Sequence, residues 1–269
     1  MALSSTNPAE TMLAIRDRYL VPSLLSPFAD DMARRLSRLV SGPLLEIYAD
    51  TGILTQAMVS AMSAGLSIIA TDPNPENVAH ASIKPGMARV TWQKADPDAL
   101  PFGDGRFGII ACHFGVAGTT DRVQTFQETH RVMRTGGRFV FSLPGHIRHN
   151  PISECLQGAM NNLFPGDPPR FVECGLHGCA DNEALDDDLT EAGFTDAIYT
   201  TIELPYAAAS ARDTAIGYCL GTPLRQEIEA RAPGEAELVT EAAAAALRKR
   251  FGTGPIEASM RAHIVSASG

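Results

Sequence analysis

The feature that most constrains the fold of this chain is a short, largely apolar strand that runs directly into a helix over residues 43–55. The segment Leu44–Ile47 is typical of a strand buried in a parallel sheet. Helical spacing of apolar residues begins at Ile53, just after Gly52. A turn of this kind points backbone N–H groups and the start of a helix toward a ligand. We therefore expect a ligand site where the first strand ends.

The alternation of strand and helix continues along the chain. Further apolar strands are predicted at residues 66–70, 90–93 and 108–112, and another helix leads into a fifth strand after Gly137. Alternation of this type favours a parallel sheet with helices on both faces, which is a doubly wound α/β fold.

Composition excludes several classes of function. The chain has 269 residues, of which 45% are hydrophobic, so it can bury a substantial core. The net charge of -9 argues against binding to a nucleic-acid backbone, which needs clustered Lys and Arg. Apolar runs such as residues 242–247 are far shorter than the roughly 20 residues that cross a bilayer. Because Glu10, Arg16 and Asp17 stand where a secretory peptide would be apolar, we expect a cytoplasmic protein.

Cysteine usage gives no sign of a disulfide framework or a metal site. The five cysteines form an odd number in a chain of this size, and we interpret them as reduced thiols. Cys174, His177 and Cys179 lie close together, but their spacing is not that of a usual structural zinc site. We therefore predict no metal.

Two sequence blocks resemble a known family. Residues 94–102 read Lys-Ala-Asp-Pro-Asp-Ala-Leu-Pro-Phe, and residues 131–137 read Arg-Val-Met-Arg-Thr-Gly-Gly before a strand. Both resemble the class I S-adenosylmethionine-dependent methyltransferases, in particular the small-molecule enzymes of the ubiquinone and menaquinone biosynthesis type. The resemblance covers about residues 40–145. It implies a Rossmann-like sheet, mostly parallel with an antiparallel last strand, S-adenosylmethionine as cofactor and a small-molecule acceptor, and it allows a homodimer.

The resemblance also suggests a domain plan. Residues 1–40 would form an N-terminal helical cap, and residues 41–269 the methyltransferase-like α/β domain. Segments at about 146–180 and 207–252 would be lid insertions that cover the substrate opening.

The resemblance assigns roles to individual residues. Glu46 and the backbone of Ala49–Gly52 would hold the amino-acid part of the cofactor, and Asp72 the ribose hydroxyls. Asp96 would read the adenine, and His113 would face the methyl group as the candidate catalytic base. The alternative roles are a helix cap for Asp72 and a structural or substrate-lining role for His113. The complete set of predicted cofactor contacts is Glu46, Tyr48, Ala49, Asp50, Thr51, Gly52, Asp72, Pro73, Asp96, Pro97, His113 and Phe114.

The first turn departs from the family pattern, which is acidic-x-Gly-x-Gly-x-Gly. Tyr48 and Asp50 stand where the first two glycines would be. Tyr48 would either intrude on the methionine half of the cofactor or swing into the seam between sheet and helix. Asp50 adds a negative charge near the cofactor carboxylate, and Asn77 replaces an apolar residue against the adenine.

Three functions are compatible with these residues. The preferred one is an active methyltransferase for a small molecule, with a modified cofactor turn. The second is a methyltransferase-like protein with lost or weakened cofactor binding, which serves as a ligand-binding or partner subunit. The third, a nicotinamide-dependent dehydrogenase, lacks the Gly-x-Gly-x-x-Gly turn, and the block at residues 96–102 favours adenosylmethionine.

Overall fold

The computed structural model describes residues 11–39, 42–119, 121–178 and 182–269, so residues 1–10 and 40 of the predicted cap lie outside it. The described chain contains a seven-stranded sheet. Its strands are β1 (Leu44–Glu46), β2 (Ile68–Asp72), β3 (Val90–Lys94), β4 (Phe107–His113), β5 (Met133–Pro144), β6 (Asp196–Ala208) and β7 (Ile256–Ser268).

The strand order in the sheet is β3-β2-β1-β4-β5-β7-β6. Strands β1 to β5 pair in parallel, whereas β7 is antiparallel to both of its neighbours, β5 and β6. The predicted doubly wound sheet with an antiparallel last strand is therefore confirmed. The chain moves outward from β1 to β3 and then returns to place β4 on the other side of β1. Open α/β sheets bind ligands at such a reversal, beyond the carboxyl ends of the strands.

Helices cover the sheet and occupy most of the two segments predicted as lids. The α-helices are α1 (Met12–Ile15), α2 (Ser26–Leu39), α3 (Ile53–Ala61), α4 (Pro75–Ser82), α5 (Arg122–Val132), α6 (Pro151–Leu163), α7 (Asn182–Glu191), α8 (Ala211–Gly221), α9 (Leu224–Arg231) and α10 (Ala236–Phe251). The π-helical segments are Arg16–Leu25 and Phe171–Leu176, and the 3₁₀ turns are Met87–Arg89, Gly115–Gly118 and Ile147–His149.

Three buried clusters hold these layers together. Two of them contain residues of the central strands: one also includes residues of α5 and α7, and the other residues of α2 and α3. The third joins residues 11–25, called the N-terminal segment below, to the two segments predicted as lids through residues such as Leu24, Met160, Ile216 and Leu247. Burial of apolar surface at about 25 cal/mol per Å² is the main force that holds these helices to one another. The N-terminal segment and the two lid segments thus share one core, and that core borders the site described next.

Candidate functional site

A cavity of about 380 Å³ lies where the sheet order reverses, at the ends of β1, β2 and β4. This volume is within the range of small-molecule pockets. Leu20 of the N-terminal segment and Phe171 and Tyr218 of the two lid segments contribute to its walls. The predicted residues that line it are Glu46, Tyr48, Ala49, Asp50, Asp72, Pro73, His113 and Phe114.

The turn after β1 keeps a glycine-like backbone although two of its glycines are replaced. Tyr48, Asp50 and Gly52 have φ angles of 54°, 49° and 76°, all in the left-handed region. Phe114, after β4, has a φ of 56°. A non-glycine residue in such a conformation costs about 1–3 kcal/mol and persists only where its surroundings enforce it. Over the described ranges, Tyr48, Asp50 and Phe114 are the non-glycine residues with positive φ, and all three line the cavity.

The ring of Tyr48 lies in the seam between sheet and helix, which is the second of its two predicted positions. Its hydroxyl bonds to the side chain of Thr125 in α5, and burial raises the pKa of the phenol. Thr125 in turn donates to Asp98. The ring also packs on Gly115: a Cβ added to Gly115 would lie 2.4 Å from the Cβ of Tyr48. The bulk of Tyr48 therefore fits because residue 115 has no side chain.

Asp72 is buried at the end of β2 and faces the cavity. Its Oδ2 accepts the backbone N–H of Asp50 at 2.9 Å, and its Oδ1 accepts the N–H of Asn74 at 2.9 Å and Nδ2 of Asn77 at 3.0 Å. Burial raises the pKa of this carboxyl, and these bonds oppose the effect. The N-cap of α4 is Asn74, whose side chain accepts from Glu76, so the alternative role of Asp72 as a cap is wrong. The carboxylate instead ties the first turn to β2.

Four of the predicted contacts do not line the cavity. Asp96 is exposed, and its Oδ1 accepts the N–H of Asp98 at 3.0 Å in a local turn, with Pro97 buried beside it. Tyr48 lines the cavity and lies near enough to Asp96 and Asp98 for their charges to raise the pKa of its hydroxyl. Neither Asp96 nor Pro97 lines the cavity, so the structure does not bring these two residues together with the other predicted contacts. The remaining two are Thr51 and Gly52, which lie behind the cavity wall at the start of α3.

Glu46 is a buried carboxyl in the cavity wall. Its Oε2 accepts the hydroxyl of Thr55 at 2.5 Å. Burial raises its pKa to about 8, with a smaller contribution from the charge of Asp72. Glu46 is therefore mainly protonated at neutral pH, and it can donate a hydrogen bond as well as accept one.

His113 lies at the end of β4 with both ring nitrogens engaged. Nδ1 is 2.8 Å from the hydroxyl of Ser142 in β5, and Nε2 is 3.3 Å from the carbonyl oxygen of Leu25. A carbonyl oxygen only accepts, so these partners assign the proton to Nε2 and make Nδ1 the acceptor from Ser142. Burial lowers the pKa of His113 to about 4. The imidazole is thus neutral and joins the N-terminal segment to the sheet, and no lone pair of it is free to act as a base.

Two neighbouring residues, Arg16 and Asp17, hold the N-terminal segment beside the cavity, and neither was among the predicted site residues. Asp17 binds His80 at 2.5 Å and Lys84 at 2.7 Å, and Lys84 also donates to the carbonyl oxygen of Thr51 at 2.6 Å. Arg16 lines the cavity and forms an ion pair with Asp50. No spacing rule connects these residues, because their contacts depend on how α1 and the π-helical segment after it pack on the sheet.

The structure adds no candidate metal ligands. In the residues that the structure describes, no three His, Cys, Asp or Glu side chains cluster as a metal site would require. Cys179 lies outside those residues, and Nδ1 of His177 contacts the carbonyl oxygen of Gly145 at 2.6 Å. No described helix is long and apolar enough to cross a bilayer.

Comparison with known sequences identifies a segment that forms part of the wall of this cavity. Residues 49–141 match the methyltransferase domain family. Over 110 residues the chain is 33% identical to the ubiquinone/menaquinone biosynthesis C-methyltransferase UbiE of Geotalea uraniireducens, a match that covers 38% of this chain and 47% of that protein. The chain therefore spans about half the length of the curated relatives that it matches. These matches argue against the dehydrogenase alternative.

Comparison with solved structures concerns the fold alone, because the identities are low. The phosphoethanolamine N-methyltransferase 2 of Haemonchus contortus, bound to phosphomonomethylethanolamine and S-adenosylhomocysteine, is 12% identical with a TM-score of 0.59, and the match covers 97% of this chain and 59% of that one. The [4+2]-cyclase SpnF is 18% identical with a TM-score of 0.53, over 98% and 99% of the two chains.

Proposed function

We propose that this chain, whose residues 49–141 match the methyltransferase domain family, is a class I S-adenosylmethionine-dependent methyltransferase that transfers the methyl group of that cofactor to a small-molecule acceptor. One observation carries the proposal. The matched segment borders a cavity at the reversal of the sheet and contributes Asp50 of the strained turn, Asp72 and Phe114 to its wall. Local strain of this kind is concentrated at binding sites.

The residues present fit this cofactor. Asp72 offers carboxylate oxygens for the two ribose hydroxyls, and the protonated Glu46 with the backbone of Ala49 and Asp50 would surround the amino-acid part. Pro73 and Phe114 supply apolar surface. When bound, S-adenosylmethionine supplies an activated methyl group on its sulfonium. The work left to the protein is to hold the two partners in line and to exclude water.

We propose an acceptor that is largely apolar. The part of the wall formed by the N-terminal and lid segments contains Leu24, Phe171, Leu176 and Tyr218. Among the described residues, Arg16 is the only Lys or Arg that lines the cavity, and it is paired with Asp50. A phosphate group on the acceptor would find no unpaired cation here, and phosphate recognition depends on such groups.

We assign His113 a positioning role in this proposal. Its neutral imidazole holds the Leu25 carbonyl and Ser142, and so fixes the N-terminal segment against the sheet beside the cavity. Proton removal from the acceptor by His113 would first require the contact with Leu25 to open.

The test is calorimetric titration of the full chain with S-adenosylmethionine and with S-adenosylhomocysteine. We expect micromolar binding, equivalent to about -8 kcal/mol. Asp72→Asn should weaken binding by at least about tenfold, because a carboxylate that accepts from hydroxyls contributes about 1.5–3 kcal/mol. Asp96→Asn is the matched control outside the cavity, and we expect it to change the affinity by less than about twofold, within the usual effect of a surface substitution.

A second function is favoured by the same turn and is decided by the same titration. Two replaced glycines, together with the position of Asp96 and Pro97 away from the cavity, support a protein of this fold that binds a ligand or partner without the cofactor. The fold likeness to a cyclase is compatible with that alternative. No binding of either cofactor form up to millimolar concentration, with the protein shown to be folded, would replace the methyltransferase proposal with it. An equal loss for Asp96→Asn and Asp72→Asn would restore Asp96 to the binding site.

A further inference from the structure

A second, smaller cavity lies next to the main one, on the side of the two lid segments. Its volume is about 10 Å³, close to the space that one water molecule needs. Its walls come from the N-terminal segment, the start of α6, α8, β6 and β7. Leu24 and Tyr218 line both cavities. These two side chains are therefore a partition between the main cavity and the small one.

The two halves of the partition are held in different ways. Tyr218 is buried in α8, and its hydroxyl lies 3.5 Å from the hydroxyl of Ser153. Ser153 lines the small cavity and is not part of the main cavity wall, so the hydroxyl end of Tyr218 lies toward the small cavity. Leu24 is held by apolar packing in the cluster that joins the N-terminal segment to the lid segments. Leu24 can therefore be shortened without the loss of a side-chain hydrogen bond.

The space beyond the partition is polar, unlike the acceptor part of the main cavity. The hydroxyls of Ser153 and Tyr218 face each other there, and the hydroxyl of Tyr206 donates to Thr214 at 2.9 Å. An apolar group pushed among buried hydroxyls would separate them from their partners, which costs free energy. An apolar ligand thus gains from contact as far as Leu24 and loses beyond it.

We propose that Leu24 and Tyr218 form the end wall of the acceptor part of the cavity and set the maximum length of the apolar group that the chain can bury there. This inference rests on the proposed function, since the ligand concerned is its methyl acceptor. It assigns the choice of acceptor to residues outside the segment 49–141 that matches the methyltransferase family. Enlargement at Leu24 should therefore admit a longer acceptor, whereas enlargement elsewhere in the wall should not.

The test uses a series of 4-alkylphenols, from methyl to heptyl, titrated calorimetrically into the full chain with and without saturating S-adenosylhomocysteine. The affinity of the wild type should rise about fourfold for each methylene group, the gain from burial of one CH₂, and should stop rising at the length that reaches the wall. Leu24→Ala removes the branched end of the side chain and should shift this limit by about two or three methylene groups. The matched control is Leu20→Ala in the same segment, because Leu20 lines the main cavity and not the small one. Its limit should equal that of the wild type.

Several outcomes would overturn the inference. A wild-type affinity that rises by the same factor through the whole series, an unchanged limit in Leu24→Ala, or an equal shift in Leu20→Ala would each refute the end wall. If the folded chain binds S-adenosylhomocysteine but no alkylphenol, the inference fails while the cofactor site of the proposed function stands. If the alkylphenols show the limit and its shift but S-adenosylhomocysteine does not bind, the end wall stands and the methyltransferase proposal fails. Circular dichroism confirms folding, and Leu24→Val, with an expected shift of about one methylene group, carries the comparison if Leu24→Ala does not fold.

Discussion

Glu46 leads to a prediction about stability and pH. Burial raises its pKa from 4.5 to about 8, so between these values the folded chain holds a proton that the unfolded chain has lost. The free energy of unfolding should therefore fall as the pH rises through this range. His113 and His177 act in the opposite direction, because burial lowers their pKa values to about 4. At pH 6.5 both histidines are still half protonated in the unfolded chain, so they raise the free energy of unfolding over part of the range from pH 6.5 to 8. The variant Glu46→Gln keeps both histidines, so the difference between it and the wild type isolates Glu46.

The expected size follows from that window. Glu46 holds one proton at pH 6.5 and half a proton at pH 8, so its contribution over these 1.5 pH units, at about 1.36 kcal/mol per proton and unit, is about 1–2 kcal/mol. We would measure urea unfolding of the wild type and of Glu46→Gln, which has nearly the same size and no titration, at four pH values from 6.5 to 8. Relative to the variant, the wild type should lose about 1–2 kcal/mol over this range, because the histidines act equally in both proteins. Parallel slopes in the two proteins would refute the conclusion that Glu46 is buried with its proton.

Three further predictions concern packing around the cavity. Gly115→Ala should lower the free energy of unfolding by about 1–3 kcal/mol, because its Cβ would meet Tyr48. In a Tyr48→Gly background the loss caused by Gly115→Ala should be smaller by about 1 kcal/mol, as measured by denaturant unfolding in a double-mutant cycle. Strict additivity of the two changes would contradict the contact. His113→Phe should cost about 1–3 kcal/mol, because the Leu25 carbonyl loses its donor, and an unchanged urea midpoint would show that this bond is not formed. Gly52→Ala should lower the free energy of unfolding by about 1–3 kcal/mol, since the φ of Gly52 is 76° and an added Cβ would lie 2.9 Å from the Cβ of Ala81. An unchanged melting temperature would contradict this prediction.

Much of the fold could be predicted from the sequence because its signals are local and periodic. Short apolar runs at β1, β2 and β4 are separated by helical spacing, and that alternation limits the arrangement to a parallel sheet. The position of the site follows from the sheet, since the carboxyl ends of β1, β2 and β4 meet where the order reverses. Residues on those ends, such as Asp72 and Phe114, therefore reach the cavity as predicted.

The parts that sequence reasoning missed depend on contacts between distant segments. The orientation of the Tyr48 ring is set by Thr125 and Gly115, which no local pattern connects to it. That ring lines the cavity near Asp96, which does not itself line it. Arg16 reaches the site only because the N-terminal segment packs on α8 and the sheet.

The two replaced glycines are balanced by specific neighbours, and this bears on whether the turn is still in use. The bulk of Tyr48 is accommodated by the bare backbone of Gly115, and the charge of Asp50 is met by Arg16. Both residues also retain the left-handed backbone that glycine would adopt without cost. In a turn with no remaining use, relaxation into an ordinary conformation would recover about 1–3 kcal/mol for each residue, and no binding requirement would oppose that change. The retained path, together with two matched neighbours, favours a binding turn that has been modified over one that has been lost.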